Sequence, residues 1–431
     1  MHWMKSQTSN GSTRRPSSLS TAIFHWVRKP AIWATIALAL PIGRADSVVH
    51  AAVPARGGAA CFAGWPAIQT SIAKDVAAKR YPGAIFIVRS RGTVHTGVAG
   101  MHDTATGQPV REDTIFRLAS MSKPITAAAI MILVDQGKLK LDDPVGWYIP
   151  DFAHMQVGQD LDGGYKNAGR PLTVRNLLTH TSGFEGDEGS FTKLLQSYGK
   201  RQTLASEMAM FASLPLAWDP GTKYHYSAVV GFDILSRIVE IVSRQPFDRF
   251  LKLRIFNPLG MKDTTFVLDK AQKSRLAGLY LARSGSFYPA KSPFASDTYF
   301  SGAAGLYGTA SDYLRFTRML ASDGRVNGVR ILSRQAVVAM RSEQLKPGFP
   351  GLGSGVGWGL GMRTVASDPV LPTGSYGWSG AFGTHFWIDP QHGIEAVFMM
   401  NLANGGGADA PTARAFERAV ADASYCPKVT R

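Results

Sequence analysis

The chain has 431 residues, 45% hydrophobic and 18% charged, the composition of a globular protein with room for a large core. Its formal net charge is +16; residues 1–52 hold six basic residues and one acidic one, leaving 41 against 30 in the remainder. A basic surface attracts anions, yet no basic run with interleaved aromatics, zinc-finger spacing or basic helical stripe accompanies it. Nucleic-acid binding is therefore not expected.

Arg28 and Lys29 precede the apolar run 31–42, which is too short to span a bilayer comfortably. Small-residue cleavage options follow at Gly43-Arg44-Ala45 and at Ala52. Residues 1–52 thus read as an export leader and 53–64 as a short linker. Residues 65–425 then form one exported domain, periplasmic or secreted, with no membrane span after leader removal; an uncleaved membrane anchor is the alternative. Cys61 and Cys426 are the only cysteines. In an oxidising compartment they are a possible disulfide tying the chain ends; two buried thiols are the alternative.

Within the domain, Ile68, Ile72 and Val76 recur at helical spacing, predicting a first helix over 66–80. Pro82-Gly83 ends it, 84–88 reads as a buried strand, and 94–100 as its hairpin partner. A buried helix begins near Ser120 and ends near Gly137. A short helix over 172–180 follows, between polar, glycine-rich stretches at 154–170 and 184–200 that read as loops. Residues 203–251 are largely helical, interrupted at Asp219-Pro220-Gly221. Thr309-Ala310-Ser311-Asp312 predicts a capping box opening a helix over 313–320. Past a glycine-rich linker at 345–356, strands are expected over 357–365, 384–389 and 394–401, then a last helix over 411–425. This order gives an α+β fold: an antiparallel sheet from both chain ends (65–110 and 350–425), flanked by helices, with a mainly helical part over 111–349.

Three stretches carry candidate chemistry. In the first, Ser120 and Lys123 stand at i and i+3 at the start of a buried helix, hence on one face. A serine hydroxyl needs a base to become a nucleophile, and a desolvated lysine can serve. The second is Asp219-Pro220-Gly221 running to Tyr226-Ser227-Ala228. The third, Gly377-Trp378-Ser379-Gly380-Ala381-Phe382-Gly383-Thr384-His385, reads as a tight turn or as a strand edge whose N–H groups face substrate. The ten histidines show no metal-ligand spacing, so no metal is expected; no phosphate loop or Gly-x-Ser-x-Gly elbow occurs, and no cofactor is expected.

In this order the three stretches resemble the serine β-lactamase and penicillin-binding protein superfamily, in its class C-like branch and nearest the family VIII carboxylesterases. Ser120-x-x-Lys123 matches the first motif, Tyr226 the first position of Y-x-N, and Trp378-Ser379-Gly380 occupies the place of K-T-G. Leu178-Thr179-His180-Thr181-Ser182-Gly183 and Gly305-Leu306-Tyr307-Gly308-Thr309 resemble further stretches of that branch.

The resemblance implies a β-lactamase/transpeptidase-like fold and a covalent acyl-enzyme on Ser120. Lys123 and Tyr226 would move the proton, and the backbone N–H groups of Ser120 and Ala381 would hold the oxyanion. Trp378, Ser379, Gly380, Ala228 and His385 would contact substrate. The chain departs from the family pattern in two places. Ala228 stands where the asparagine is expected, and Trp378 stands for the lysine that helps hold a β-lactam carboxylate. An indole offers one N–H and no charge, so the expected substrate is a neutral acyl ester. A class C-like β-lactamase or D-amino-acid peptidase (DD-carboxypeptidase) is the runner-up; a penicillin-binding sensor is the non-enzymatic alternative.

Overall fold

The computed structural model describes residues 64–158, 164–184, 202–346, 348–407 and 409–424. The leader, all but the last residue of the linker, and both cysteines lie outside the described residues. Helix α1 (Trp65–Ala77) leads into strands β1 (Gly83–Ser90), β2 (Thr93–Asp103) and β3 (Gln108–Pro109). Helix α2 (Ser122–Asp135) follows, then α3 (Val174–Leu178), α4 (Leu204–Ala212), α5 (Val230–Ser243) and α6 (Ala310–Ala321). The chain closes with β4 (Val356–Trp358), β5 (Arg363–Val365), β6 (Tyr376–Ser379), β7 (His385–Asp389), β8 (Ile394–Met400) and helix α7 (Pro411–Ser424).

The eight strands form one antiparallel sheet in the order β4-β5-β6-β7-β8-β1-β2-β3, so the last strand pairs with the first. Ile85 stands opposite Met399 and Ile87 opposite Val397 in that central pairing. Side chains alternate across a strand. Ile85, Ile87, Val397 and Met399 enter the large core under α2, α5 and α6. Phe86, Val88, Phe398 and Met400 turn the other way, onto Ile68 and Ile72 of α1 and Phe416 and Val420 of α7. β1 is buried along nearly its whole length because both faces are covered.

Helix α2 is apolar on every side and buried from Ser122 to Leu133, which makes it the axis of the helical core. Several expectations meet a different structure. Residues 357–365 form two strands, because Gly361 at φ +79° turns the chain back on itself. Part of the stretch expected to be loop pairs as a small hairpin, Gln156–Gly158 against Tyr165–Asn167. The helical run from 203 is broken for all of 213–229, well beyond the Pro-Gly turn. Thr309 caps α6 by accepting from the Asp312 N–H at 3.2 Å. The reciprocal half of the box is missing because the Asp312 carboxylate accepts from the Asp263 N–H and the Thr264 hydroxyl instead. No helix among the described residues is long and apolar enough to cross a membrane.

Candidate active site

Ser120 sits in a single 3-10 turn, Ala119–Met121, that feeds directly into α2. The turn is held from both sides. The Leu118 N–H donates to the Leu306 carbonyl, the Leu306 N–H to Ser122 Oγ, and the Tyr313 hydroxyl to the Met121 carbonyl. Ala119 is left-handed at φ +46°, a conformation costing a non-glycine residue about 1–2 kcal/mol. The fold holds strain immediately before the serine.

Lys123, one turn into α2, is fully buried, yet no carboxylate lies within ion-pair distance of it among the described residues. Its Nζ reaches three acceptors: Ser120 Oγ at 3.2 Å, the Ala228 carbonyl at 2.6 Å and the Ala303 carbonyl at 3.1 Å. As an ammonium it uses all three protons. As a neutral amine it keeps both carbonyl bonds, and those two bonds aim its lone pair at Ser120 Oγ. The cradle fixes where the amine points.

Tyr226 brings its ring centroid to 5.0 Å from Lys123 Nζ. Its segment lies along the 178–183 stretch: the Gly221 N–H donates to the Thr181 carbonyl and the His225 N–H to the His180 carbonyl. His180 also packs on Tyr226 with ring centroids 4.5 Å apart, and its Nδ1 accepts from the Ser227 N–H at 3.1 Å. Burial, and then the nearby Lys123 charge, push this imidazole well below its usual range. It is a neutral wedge with its proton on Nε2. On the open side the Trp378 indole N–H donates to the Tyr226 hydroxyl at 3.3 Å. Trp358 stands edge-on to Trp378 at 4.7 Å and donates its own N–H to the Leu178 carbonyl.

The turn between β6 and β7 packs against the serine turn. The Thr384 hydroxyl donates to the Leu118 carbonyl at 2.9 Å, and the Gly380 N–H to the Thr384 carbonyl at 2.7 Å. A Cβ on Gly380 would fall 2.3 Å from the Leu118 carbonyl oxygen, so only glycine permits this approach. Ala381 follows, exposed, and its N–H has no acceptor among the described residues. Gly380→Ala is expected to lower kcat by about 10²-fold, since displacement of about 1 Å at a reacting centre has that effect. Steady-state kinetics with circular dichroism of the folded variant check it.

Two expected pocket residues are turned away from this cluster. Ser379 pairs across the sheet with His385, and Ser379 Oγ lies 2.6 Å from His385 Nδ1, both side chains buried. His385 Nε2 stands 3.1 Å from Glu417 Oε1 on α7, within ion-pair reach but off the line of a straight hydrogen bond. The strand pleat explains this, because Trp378 and its neighbour Ser379 must face opposite sides. Ala228 is also recast: it meets Lys123 through its backbone carbonyl.

The Beta-lactamase family profile matches residues 68–420. The chain belongs to that family. Among its relatives are Protein Rv1367c of Mycobacterium tuberculosis, 33% identical over 373 residues (80% of this chain, 92% of that protein), and Esterase EstB of Burkholderia gladioli, 32% identical over 368 residues (76% and 88%). Among solved structures, EstCE1, a hydrolase with promiscuous acyltransferase activity, superposes with a TM-score of 0.72 at 24% identity, covering 84% of this chain and 99% of that one. The structural likeness speaks to the fold.

For a member of this family, the residue that sequence reading misses is Asp233. It is fully buried on α5 and accepts from the Tyr299 hydroxyl at 2.7 Å, the Ser301 hydroxyl at 2.8 Å and the Ala303 N–H at 3.0 Å. The available signal was a lone carboxylate on the apolar stripe of Ile234, Leu235, Ile238 and Val239.

Proposed function

We propose that this protein is a serine carboxylesterase that cleaves neutral acyl esters through an acyl-enzyme on Ser120. The observation that carries the reading is the contact of Lys123 Nζ with Ser120 Oγ at 3.2 Å, inside a cradle that leaves a neutral amine's lone pair nowhere else to point. Lys123 takes the Ser120 proton as Oγ attacks the ester carbonyl, and Tyr226 passes that proton to the leaving alcohol. The N–H groups of Ser120 and Ala381 meet the oxyanion. Water then attacks the acyl-enzyme by the reverse proton path, releasing the acid and restoring Ser120.

Trp378 argues for neutral substrates. It brings no charge to hold a carboxylate, and its N–H is already committed to Tyr226. That bond fixes the direction of the Tyr226 hydroxyl. Trp378→Phe keeps the aromatic packing and removes the bond. It is expected to lower kcat/KM about fivefold in steady-state assays, from a hydrogen bond of about 1 kcal/mol.

The relative named Esterase EstB supports the same substrate class. The deciding experiment compares short p-nitrophenyl esters with a chromogenic cephalosporin, using protein lacking residues 1–52. Ester turnover well above cephalosporin turnover is the expected result; the reverse order would replace the esterase reading with a β-lactamase one. We further read residues 1–52 as a cleaved leader and the mature enzyme as exported, which N-terminal sequencing of periplasmic and secreted fractions tests.

A further inference from the structure

A buried lysine without an ion-pair partner needs its charge balanced through other means. One of the two carbonyls that cradle Lys123 is tied directly to a single side chain, and the other lies next to the helix that bears it. Ala303 accepts from Lys123 Nζ through its carbonyl and donates through its N–H to Asp233 Oδ1 at 3.0 Å. Ser301 donates to the same oxygen, fixing the turn that carries Ala303. Gly302, between them, is pressed onto α2 and α5. Its carbonyl accepts from the Thr126 hydroxyl at 2.8 Å, and a Cβ there would overlap Ser236 Oγ at 2.0 Å. Ala228, the other carbonyl, lies just before α5, the helix that bears Asp233.

We propose that Asp233 is a positioning residue for Lys123: its carboxylate locks the carbonyl cradle and supplies the negative charge that the buried amine lacks. The inference rests on Lys123 acting as the base in the esterase reading. Asp233 never touches the reacting atoms. It acts along the path Asp233, Ala303, Lys123, and through the field of its charge across that path. Burial pushes its carboxyl up to about 6, opposed by hydrogen bonds from Tyr299, Ala303 and Ser301 and by the charge of Lys123. The three donors and the neighbouring Lys123 favour its charged form. The other titratable groups facing Lys123 are Tyr226 and His180, with His225 behind His180. His180 is neutral, so Asp233 is the anion of the group.

Asp233→Asn is the test, because asparagine preserves the acceptor for Ala303 and Ser301 and removes the charge. Without its negative neighbour Lys123 gives up its proton more readily. The acid limb of kcat/KM against pH for p-nitrophenyl butyrate should therefore move down by about one pH unit, the usual reach of a single nearby charge. A purely structural role would lower the plateau or the melting temperature and leave the limb in place; that outcome overturns the inference. If Asp233→Asn does not fold, Ser301→Ala decides. It keeps the charge but frees the turn, and kcat should fall about tenfold with KM unchanged; an unchanged kcat overturns the role. Hydrolysis surviving Ser120→Ala would defeat the esterase reading itself. Hydrolysis that needs Ser120, with an unmoved limb in Asp233→Asn, would defeat only the role of Asp233.

Discussion

Replacing Ser120 by alanine is expected to lower kcat for short p-nitrophenyl esters by about 10⁵-fold, because nothing else in the site can carry the acyl group. The hydroxyl is only half-buried and its one bond among the described residues is to Lys123, so stability should change by no more than about 1 kcal/mol. Wild-type protein treated with a fluorophosphonate should gain one covalent adduct by mass spectrometry, and the variant none. Hydrolysis retained above about a hundredth of the wild-type rate would remove Ser120 from its role, since a lost nucleophile costs far more.

The second large effect is expected at Lys123, where activity and stability fall together. Lys123→Met fills the space but leaves the Ala228 and Ala303 carbonyls without their donor and Asp233 without its nearby cation. Buried acceptors left unmade cost about 1–3 kcal/mol each, so a loss of about 2–4 kcal/mol in urea unfolding follows. The lost base should lower kcat by about 10³-fold. A variant with full stability and low activity would mean that the cradle carries no structural weight.

Much of this was legible from local pattern. The i, i+3 spacing of Ser120 and Lys123 at the head of an apolar helix is a statement about one turn of chain, and the contact at 3.2 Å follows from it. α1 and α7 likewise announce themselves by a period of 3.6, and β1 by a short continuous apolar run. What stayed hidden depends on partners distant in sequence. Gly377 and Gly380 mask β6 as a turn, and only its pairing with β7 fixes which of Trp378 and Ser379 meets Tyr226. A one-residue change of register would exchange them. Asp233 was invisible for the same reason, since its donors Tyr299, Ser301 and Ala303 lie far along the chain.

The pairing of β1 with β8 carries a kinetic consequence. Arg89 and Glu395, an ion pair in that central pairing, are separated by 306 residues. The Ser120–Lys123 contact can form as soon as α2 does, but Trp378 and Ala381 come into place only after nearly the whole chain exists. Long-range antiparallel pairing must close a very large loop before it is rewarded. Refolding should therefore restore most helical signal first and esterase activity in a slower phase, and a nascent chain ending before residue 376 should be helical but silent.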